Sequence, residues 1–220
     1  MLYKLSKRLI DIIIAGFVLL ALSPLFILVT IALLCTGEHE VLYKQERIGY
    51  KNMRFNIWKF ATMLKNSLNI GTGSITLRND PRVTPFGKIL RITKINELPQ
   101  IINVLRGDMS IVGPRPLLMQ SFELYADMVQ KRIYNQKPGI TGIGSLVFRD
   151  EEKILSNAKD VNNMLRIIYA YKGALEMWYQ DHASLYTDFK IMFLTATSIL
   201  LPKNTLVPRI FKDLPARIEF

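Results

Sequence analysis

This chain of 220 residues has one cysteine, Cys35, and two histidines, His39 and His182. A single cysteine excludes an internal disulfide and fits a reducing compartment. Two histidines far apart, with one thiol, offer no zinc-ligand spacing. Acids are scarce beside bases: 18 Asp and Glu against 29 Lys and Arg give a net charge of +11. That excess implies anionic partners, meaning nucleic acid, anionic lipid or phosphorylated substrates. The basic residues are scattered among apolar segments, with no stacking platform or recognition helix, so nucleic acid is not an expected partner. Repeats and low-complexity tracts are absent.

What the chain does have is a long apolar run. Half of its residues are hydrophobic, and 9–35 is almost uninterrupted. The run exceeds the ~20 residues needed to cross a bilayer as a helix. It is long for the apolar core of a signal peptide, and no small-residue cleavage site follows it closely. Ser23-Pro24 interrupts it. Pro24 cannot donate a backbone N–H, so a helix bends there, and the Ser23 hydroxyl can satisfy a carbonyl that the bend frees. A kinked span and a re-entrant hairpin both fit these residues. Lys4, Lys7 and Arg8 hold the N-terminus on the cytoplasmic side. Only the re-entrant form then leaves the basic remainder on that side, where a cytosolic nucleotide could reach it.

Beyond the run, 41–60 alternates about a Gly-Tyr-Lys-Asn turn and reads as a β-hairpin. Residues 62–79 read as a loop. Residues 96–106 read as a helix with Asn96 and Glu97 at its start and Gly107 at its stop. Residues 107–116 read as a loop, 117–135 as an amphipathic helix, and PGITGIGS as a turn. Residues 151–180 are helical in pattern. Residues 189–201 suit an interfacial helix or a core helix equally. Residues 202–220 look like a loosely held tail. The expected fold is mainly α-helical with a small β-hairpin. It has a membrane anchor over 1–36, a compact catalytic domain over 37–201 and a tail over 202–220.

Residues suited to phosphate cluster along this pattern. Lys59, Arg91, Arg115 and Arg149 sit at turns or element edges, and arginine grips phosphate through a planar fork of donors. Gly-rich loops offer backbone N–H groups. Glu97 can hold Mg²⁺, which bridges a carboxylate and a diphosphate. Asn96 suits a helix N-cap as well as Asp does, but its amide lacks the reactive oxygen of a nucleophile.

These residues carry a resemblance across nearly the whole chain. The motifs are Lys7-Arg8, Ser23-Pro24, Gln45-x-Arg47-x-Gly49, Lys59-Phe60-x-Thr62-Met63 and Asp80-x-Arg82-x-Thr84-Pro85-Phe86-Gly87. Glu97-Leu98-Pro99-Gln100, Gly107-Asp108-Met109-Ser110, Val112-Gly113-Pro114-Arg115-Pro116 and Pro138-Gly139-Ile140-Thr141-Gly142 complete the set. In this order they resemble the bacterial sugar transferases, the monotopic phosphoglycosyl transferases. The resemblance implies transfer of sugar-1-phosphate from a UDP-sugar to polyprenol phosphate such as undecaprenyl phosphate, with UMP leaving and Mg²⁺ required. It implies a re-entrant membrane helix in membrane lipid, at the cytoplasmic face of the bacterial inner membrane, and a homodimer. The glycan expected is an exopolysaccharide, capsule or O-antigen. Carried over by position, Glu97 is the metal-binding acid. Lys59, Arg91 and Arg115 lie near the phosphates, and Arg149, Glu176 and Asp188 line the substrate site. The family pattern has Asp-Glu where this chain has Asn96-Glu97, and that Asp is the nucleophile. Three readings of Asn96 stay open. The chain is an active variant in which Glu97 or the polyprenol phosphate itself attacks, an engineered Asp-to-Asn trap, or an impaired homologue acting as a membrane-bound scaffold.

Overall fold

The structure, a computed structural model, describes residues 2–67, 80–200 and 206–216. The expected loop over 62–79 lies outside the described residues from 68 onward. The apolar run forms two helices, α1 (Leu2–Ala21) and α2 (Ser23–Cys35), bent by 59° at their junction. Pro24 stands in the first turn of α2, where its missing N–H is no loss. The Ser23 hydroxyl donates to the Leu20 carbonyl at 2.8 Å. Among the described residues no single helix is long and apolar enough to cross a membrane, although this bent pair together is.

Four polar side chains of α1 point into the protein, while Lys4 is exposed. Tyr3 and Lys7 donate to the Asp188 carboxylate at 3.0 and 2.7 Å. Arg8 donates to the carbonyls of Val104 and Leu105 at 2.6 and 2.9 Å. Asp11, buried, accepts from the Ser110 hydroxyl at 2.8 Å and the Ile111 N–H at 3.0 Å. Leu5, Leu9, Ile13, Phe17 and Leu20 on α1, and Ile27, Leu28 and Ile31 on α2, are exposed. The arrangement is polar inward and apolar outward, the reverse of a helix on a water-soluble surface.

The hairpin forms as expected. β1 (Leu42–Ile48) pairs antiparallel with β2 (Arg54–Phe60), with Arg47 opposite Phe55 and Tyr43 opposite Lys59. The turn between them is a 3₁₀ segment, Tyr50–Asn52, in which Lys51 and Asn52 adopt left-handed backbone. α3 (Pro85–Ile92) is capped by the Thr84 hydroxyl, which accepts from the Gly87 N–H at 3.1 Å. The expected helix over 96–106 is two pieces, a 3₁₀ turn Ile95–Glu97 and α4 (Gln100–Arg106), divided by Pro99. Gly107, in left-handed backbone, ends α4 as expected. Asn103, fully buried, ties α4 to β2: its Oδ1 accepts from Trp58 N–H at 3.0 Å and its Nδ2 donates to the Asn56 carbonyl at 2.8 Å.

The expected loop over 107–116 contains a strand, β3 (Ser110–Val112). It pairs in parallel with β4 (Gly139–Thr141), which occupies the expected Gly-rich turn. A Cβ on Gly113 or Gly139 would collide with the other segment's backbone, so the two chains meet only because both positions are glycine. The expected helix over 117–135 is broken into α5 (Met119–Phe122), α6 (Asp127–Arg132) and a 3₁₀ turn, Ile133–Asn135. Then come α7 (Ile143–Val147), α8 (Glu151–Ser156), α9 (Val161–His182) and α10 (Leu185–Leu200), so the helix expected over 151–180 is interrupted between α8 and α9. α10 buries Ile191 and Leu194 in the core and leaves Tyr186, Phe189 and Phe193 exposed. The described part of the expected loose tail is docked. α11 (Val207–Ile210) leads to Phe211, which packs edge-on to Trp178, and Asp213 accepts from Trp178 Nε1 at 3.1 Å. The main core gathers Tyr134, Ile143, Ile168, Leu175, Tyr179 and Ile191, and a second, around Ile57, Val104 and Met109, seats α1 through Ala15.

Candidate active site

Between the hairpin, the 3₁₀ turn at 95–97, the segment after β3 and helices α7 to α9 lies an open cleft of about 2370 Å³. Its centre is an acid among bases. Glu97 Oε1 accepts from Arg115 Nη2 at 2.9 Å and lies 3.7 Å from Lys59 Nζ. Burial alone would raise the Glu97 pKa, but Arg115 and then Lys59 outweigh it and hold the carboxyl well below the usual range. Burial pushes the Lys59 ammonium down to about 7 against the pull of Glu97, with Arg47, Arg115 and Arg91 adding to the depression.

Local folding aims these groups. Lys59 is the next-to-last residue of β2, whose register is fixed by the hairpin and by Asn103. Arg115 follows Gly113-Pro114, and its carbonyl accepts from the Tyr134 hydroxyl at 2.8 Å while that oxygen accepts from Leu117 N–H at 3.1 Å. A buried phenol thus pins the loop that presents Arg115.

At the other side of the cleft, Lys172 on α9 pairs with Glu151 at 2.7 Å and lies over the rings of Phe148 and Tyr169. Glu176, one turn further along α9, is 2% exposed, and burial pushes its carboxyl up to about 7. Among the described residues five buried side-chain atoms have no hydrogen-bond partner: Arg47 Nε, Asn96 Oδ1, Ser145 Oγ, Arg149 Nη1 and Glu176 Oε2. All five residues line this cleft. Buried polar groups are nearly always paired, so their convergence marks a surface shaped to hold a polar ligand.

The structure therefore brings Lys59, Arg91, Asn96, Glu97, Arg115, Arg149 and Glu176 to one cleft. Asp188 stands apart from it. Its carboxylate is occupied by Tyr3, Lys7 and Tyr179, the last at 2.6 Å, and it fastens α1 to α9 and α10. The capping role expected of Asn96 is corrected. Asn96 lies inside the 3₁₀ turn, makes no capping bond, and α4 starts beyond Pro99. No α-helix starts at 96–97, so no helix terminus faces the cleft at that point. Arg47 was missed as a site residue. It lies within reach of the charges of Arg115 and Glu97, and burial followed by Arg115 draws its pKa down to about 10. The alternation of β1 shows that Gln45 and Arg47 share one face, but not that a cleft lies over it.

No group of three or more acidic, histidine or cysteine side chains is placed to cage a metal among the described residues. Glu97 is a single carboxylate at the cleft centre. That donor set fits an ion held by one carboxylate and by substrate phosphates, as Mg²⁺ commonly is. The walls have two characters: beside the charged groups stand Ile14 and Val18 of α1, with Leu98 and Ile101.

Comparisons with known proteins agree with this arrangement. The chain is 32% identical over 215 residues to the exopolysaccharide production protein ExoY of Sinorhizobium fredii, covering 91% of this chain and 88% of that protein. It is 38% identical over 200 residues to the uncharacterized sugar transferase EpsL of Bacillus subtilis, covering 90% and 89%. It is 35% identical over 203 residues to the UDP-glucose:undecaprenyl-phosphate glucose-1-phosphate transferase of Klebsiella pneumoniae, covering 90% of this chain and 41% of that larger protein. The family model for bacterial sugar transferases matches residues 2–202, and the chain belongs to that family.

Proposed function

We propose that this protein transfers sugar-1-phosphate from a UDP-sugar to a polyprenol phosphate, releasing UMP, as a first membrane step of exopolysaccharide or related glycan assembly. One observation carries the reading: a single cleft joins a cluster of phosphate-binding cations to an apolar wall supplied by α1. A soluble nucleotide-sugar needs the first and a lipid phosphate needs both. Named relatives support the substrates, since that of Klebsiella pneumoniae is a UDP-glucose:undecaprenyl-phosphate glucose-1-phosphate transferase and one from Salmonella typhimurium is an undecaprenyl-phosphate galactose phosphotransferase.

In this reading α1 and α2 form a re-entrant hairpin in the cytoplasmic leaflet of the bacterial inner membrane. The outward Leu9, Ile13 and Phe17 meet lipid, while exposed Ile89 and Ile92 of α3 and Phe189 and Phe193 of α10 rest at the interface. The net charge of +11 draws the molecule to an anionic surface. Arg115, Lys59 and Arg47 grip the diphosphate, and Arg149 holds the nucleotide-sugar. Glu97 would hold Mg²⁺, which supplies neutralisation of the charge that develops on the leaving phosphate. Purified protein given undecaprenyl phosphate, Mg²⁺ and a panel of UDP-sugars should release UMP with at least one donor and lose that activity with EDTA. UMP release from none of them would overturn the proposal in favour of a binding or scaffold role.

A further inference from the structure

Phosphoryl transfer to a second phosphate can run through an enzyme nucleophile or directly, and the side chains of the cleft decide between them. Asn96 occupies the centre of the 3₁₀ turn beside Glu97, 7% exposed. Its amide carries no charge and no reactive oxygen, so it cannot form a phosphoester link. Most of the acids around it are paired or buried. Glu97 Oε1 accepts from Arg115 at 2.9 Å and lies 3.7 Å from Lys59, so that oxygen is already engaged by two cations. Glu151 is paired with Lys172 at 2.7 Å, and Asp80 is held in a fork by Arg82. Glu176 is fully buried, and its environment favours the neutral acid. Asp150 is exposed.

Charge and volume point the same way. Arg47, Arg91 and Arg115 lie within electrostatic reach of Lys59, with Glu97 as the acid among them; Asp80, near Arg91, and Glu151, near Arg115, are each paired with another cation, so a positive surplus remains. That surplus can hold a diphosphate and a second phosphate together, overcoming the repulsion that otherwise keeps two anions apart. The cleft, at about 2370 Å³, exceeds the roughly 300–1000 Å³ of pockets that hold one small ligand. A carboxylate at position 96 would repel both phosphates, whereas an amide can donate a hydrogen bond to either. Asn96 lines the cleft; its buried Oδ1 has no partner, and its Nδ2 is the atom that would donate to a phosphate.

We propose that this chain catalyses direct transfer in a ternary complex, with Asn96 as a hydrogen-bonding catalytic residue and no covalent sugar-phosphate intermediate. The inference rests on the function proposed above. A terminal oxygen of polyprenol phosphate forms a bond to the sugar-bearing phosphorus of the UDP-sugar. The bond from that phosphorus to the bridging oxygen breaks in line, and UMP departs with the electron pair. Both phosphates are ionised at neutral pH, so no proton transfer is required. The products are polyprenol-diphosphate-sugar and UMP.

The test uses the full-length protein in detergent or nanodiscs with undecaprenyl phosphate, Mg²⁺ and the best donor from the panel. Initial rates with both substrates varied should give intersecting lines. Donor alone should give neither exchange of labelled UMP into UDP-sugar nor a mass adduct, and Asn96→Ala should lower kcat by roughly 10²- to 10³-fold, the range for loss of one such donor. Parallel lines, donor-only exchange, or an adduct on Glu97, Lys59 or any other residue would overturn direct transfer while leaving the overall reaction standing. Turnover seen only in Asn96→Asp would overturn it in favour of an impaired homologue. No UMP release with both substrates and any donor would remove the functional reading and this inference together.

Discussion

At the scale of the residue, the site is governed by how few acids face how many bases. Glu97 stays ionised over the working range because Arg115 and Lys59 outweigh its burial. Glu97→Gln keeps the shape but removes the charge, leaves Arg115 and Lys59 without their carboxylate and removes the acid proposed to hold Mg²⁺. UMP release should fall by about 10²–10³-fold, the scale for loss of one electrostatic group in an active site, and a fall of less than 3-fold would take Glu97 out of the machinery. Lys59 sets a pH limit. Its ammonium, drawn down to about 7 by burial, is lost as pH rises through that value, so the rate should decline on the alkaline side. Lys59→Arg keeps its charge at every such pH and should straighten the alkaline limb of the profile, whatever it costs in absolute rate. Glu176 is instead a matter of stability. Its carboxyl is raised to about 7 from an ordinary 4.5, so the folded state holds a proton that the unfolded chain releases between those values. The corresponding stability is complete below about pH 4.5 and is lost as pH rises through 7. Glu176→Gln, neutral throughout, should melt above the wild type at pH 8, by on the order of 3 kcal/mol in stability. The two curves should meet near pH 4.5. Equal melting temperatures at pH 8 would mean that solvent or a ligand already satisfies the carboxylate.

At the scale of the element, α1 turns an apolar face outward and is fastened to the protein by polar hooks, of which Asp11 is the innermost. Asp11→Ala leaves Ser110 Oγ and the Ile111 N–H without their acceptor at a buried edge of β3. The cost should be about 2 kcal/mol, seen as a drop of several degrees in the detergent-solubilised melting temperature. An unchanged value would show that α1 is held by apolar packing alone. What the sequence revealed of these elements follows their physics. The hairpin was legible because alternation and a turn are local signals, and so was the bend at Ser23-Pro24. The strands β3 and β4 were not, because three residues carry no readable period and the pairing joins Ser110 to Gly139 across the chain. The site motifs located Glu97 and Arg115, but the same helical reading placed Asn96 at a cap. Pro99 was the signal against it, since its ring cannot continue a helix from the turn before it; it stands at the N-cap and α4 starts at Gln100, four residues on. Arg47 and the docked tail depend on long-range partners, Arg115 in one case and Trp178 in the other, which no local pattern can name.

At the scale of the whole molecule, the question is on which side of a bilayer the cleft lies, and α1 with α2 answers it differently in two geometries. If the bent pair crossed the membrane, Lys4, Lys7 and Arg8 would stay inside. The end of α2, and everything after it, would then stand outside, separating the cation cluster from cytosolic nucleotides. If the pair is re-entrant, both ends are cytoplasmic. The 59° bend and the Ser23 hydroxyl bond to Leu20 suit the second geometry. So do the inward hooks of Tyr3, Lys7, Arg8 and Asp11, which hold the start of α1 against the domain that follows α2. The chain itself supplies the probe, because Cys35 is its only cysteine, lies at the end of α2 and is exposed. In intact spheroplasts a membrane-impermeant maleimide should leave Cys35 unmodified, and lysis should allow full labelling of the same protein. Labelling before lysis would mean that the pair spans. The cleft would then face away from the nucleotide pool, and the proposed donor would have to be abandoned even if the chemistry of Glu97 and Arg115 were intact.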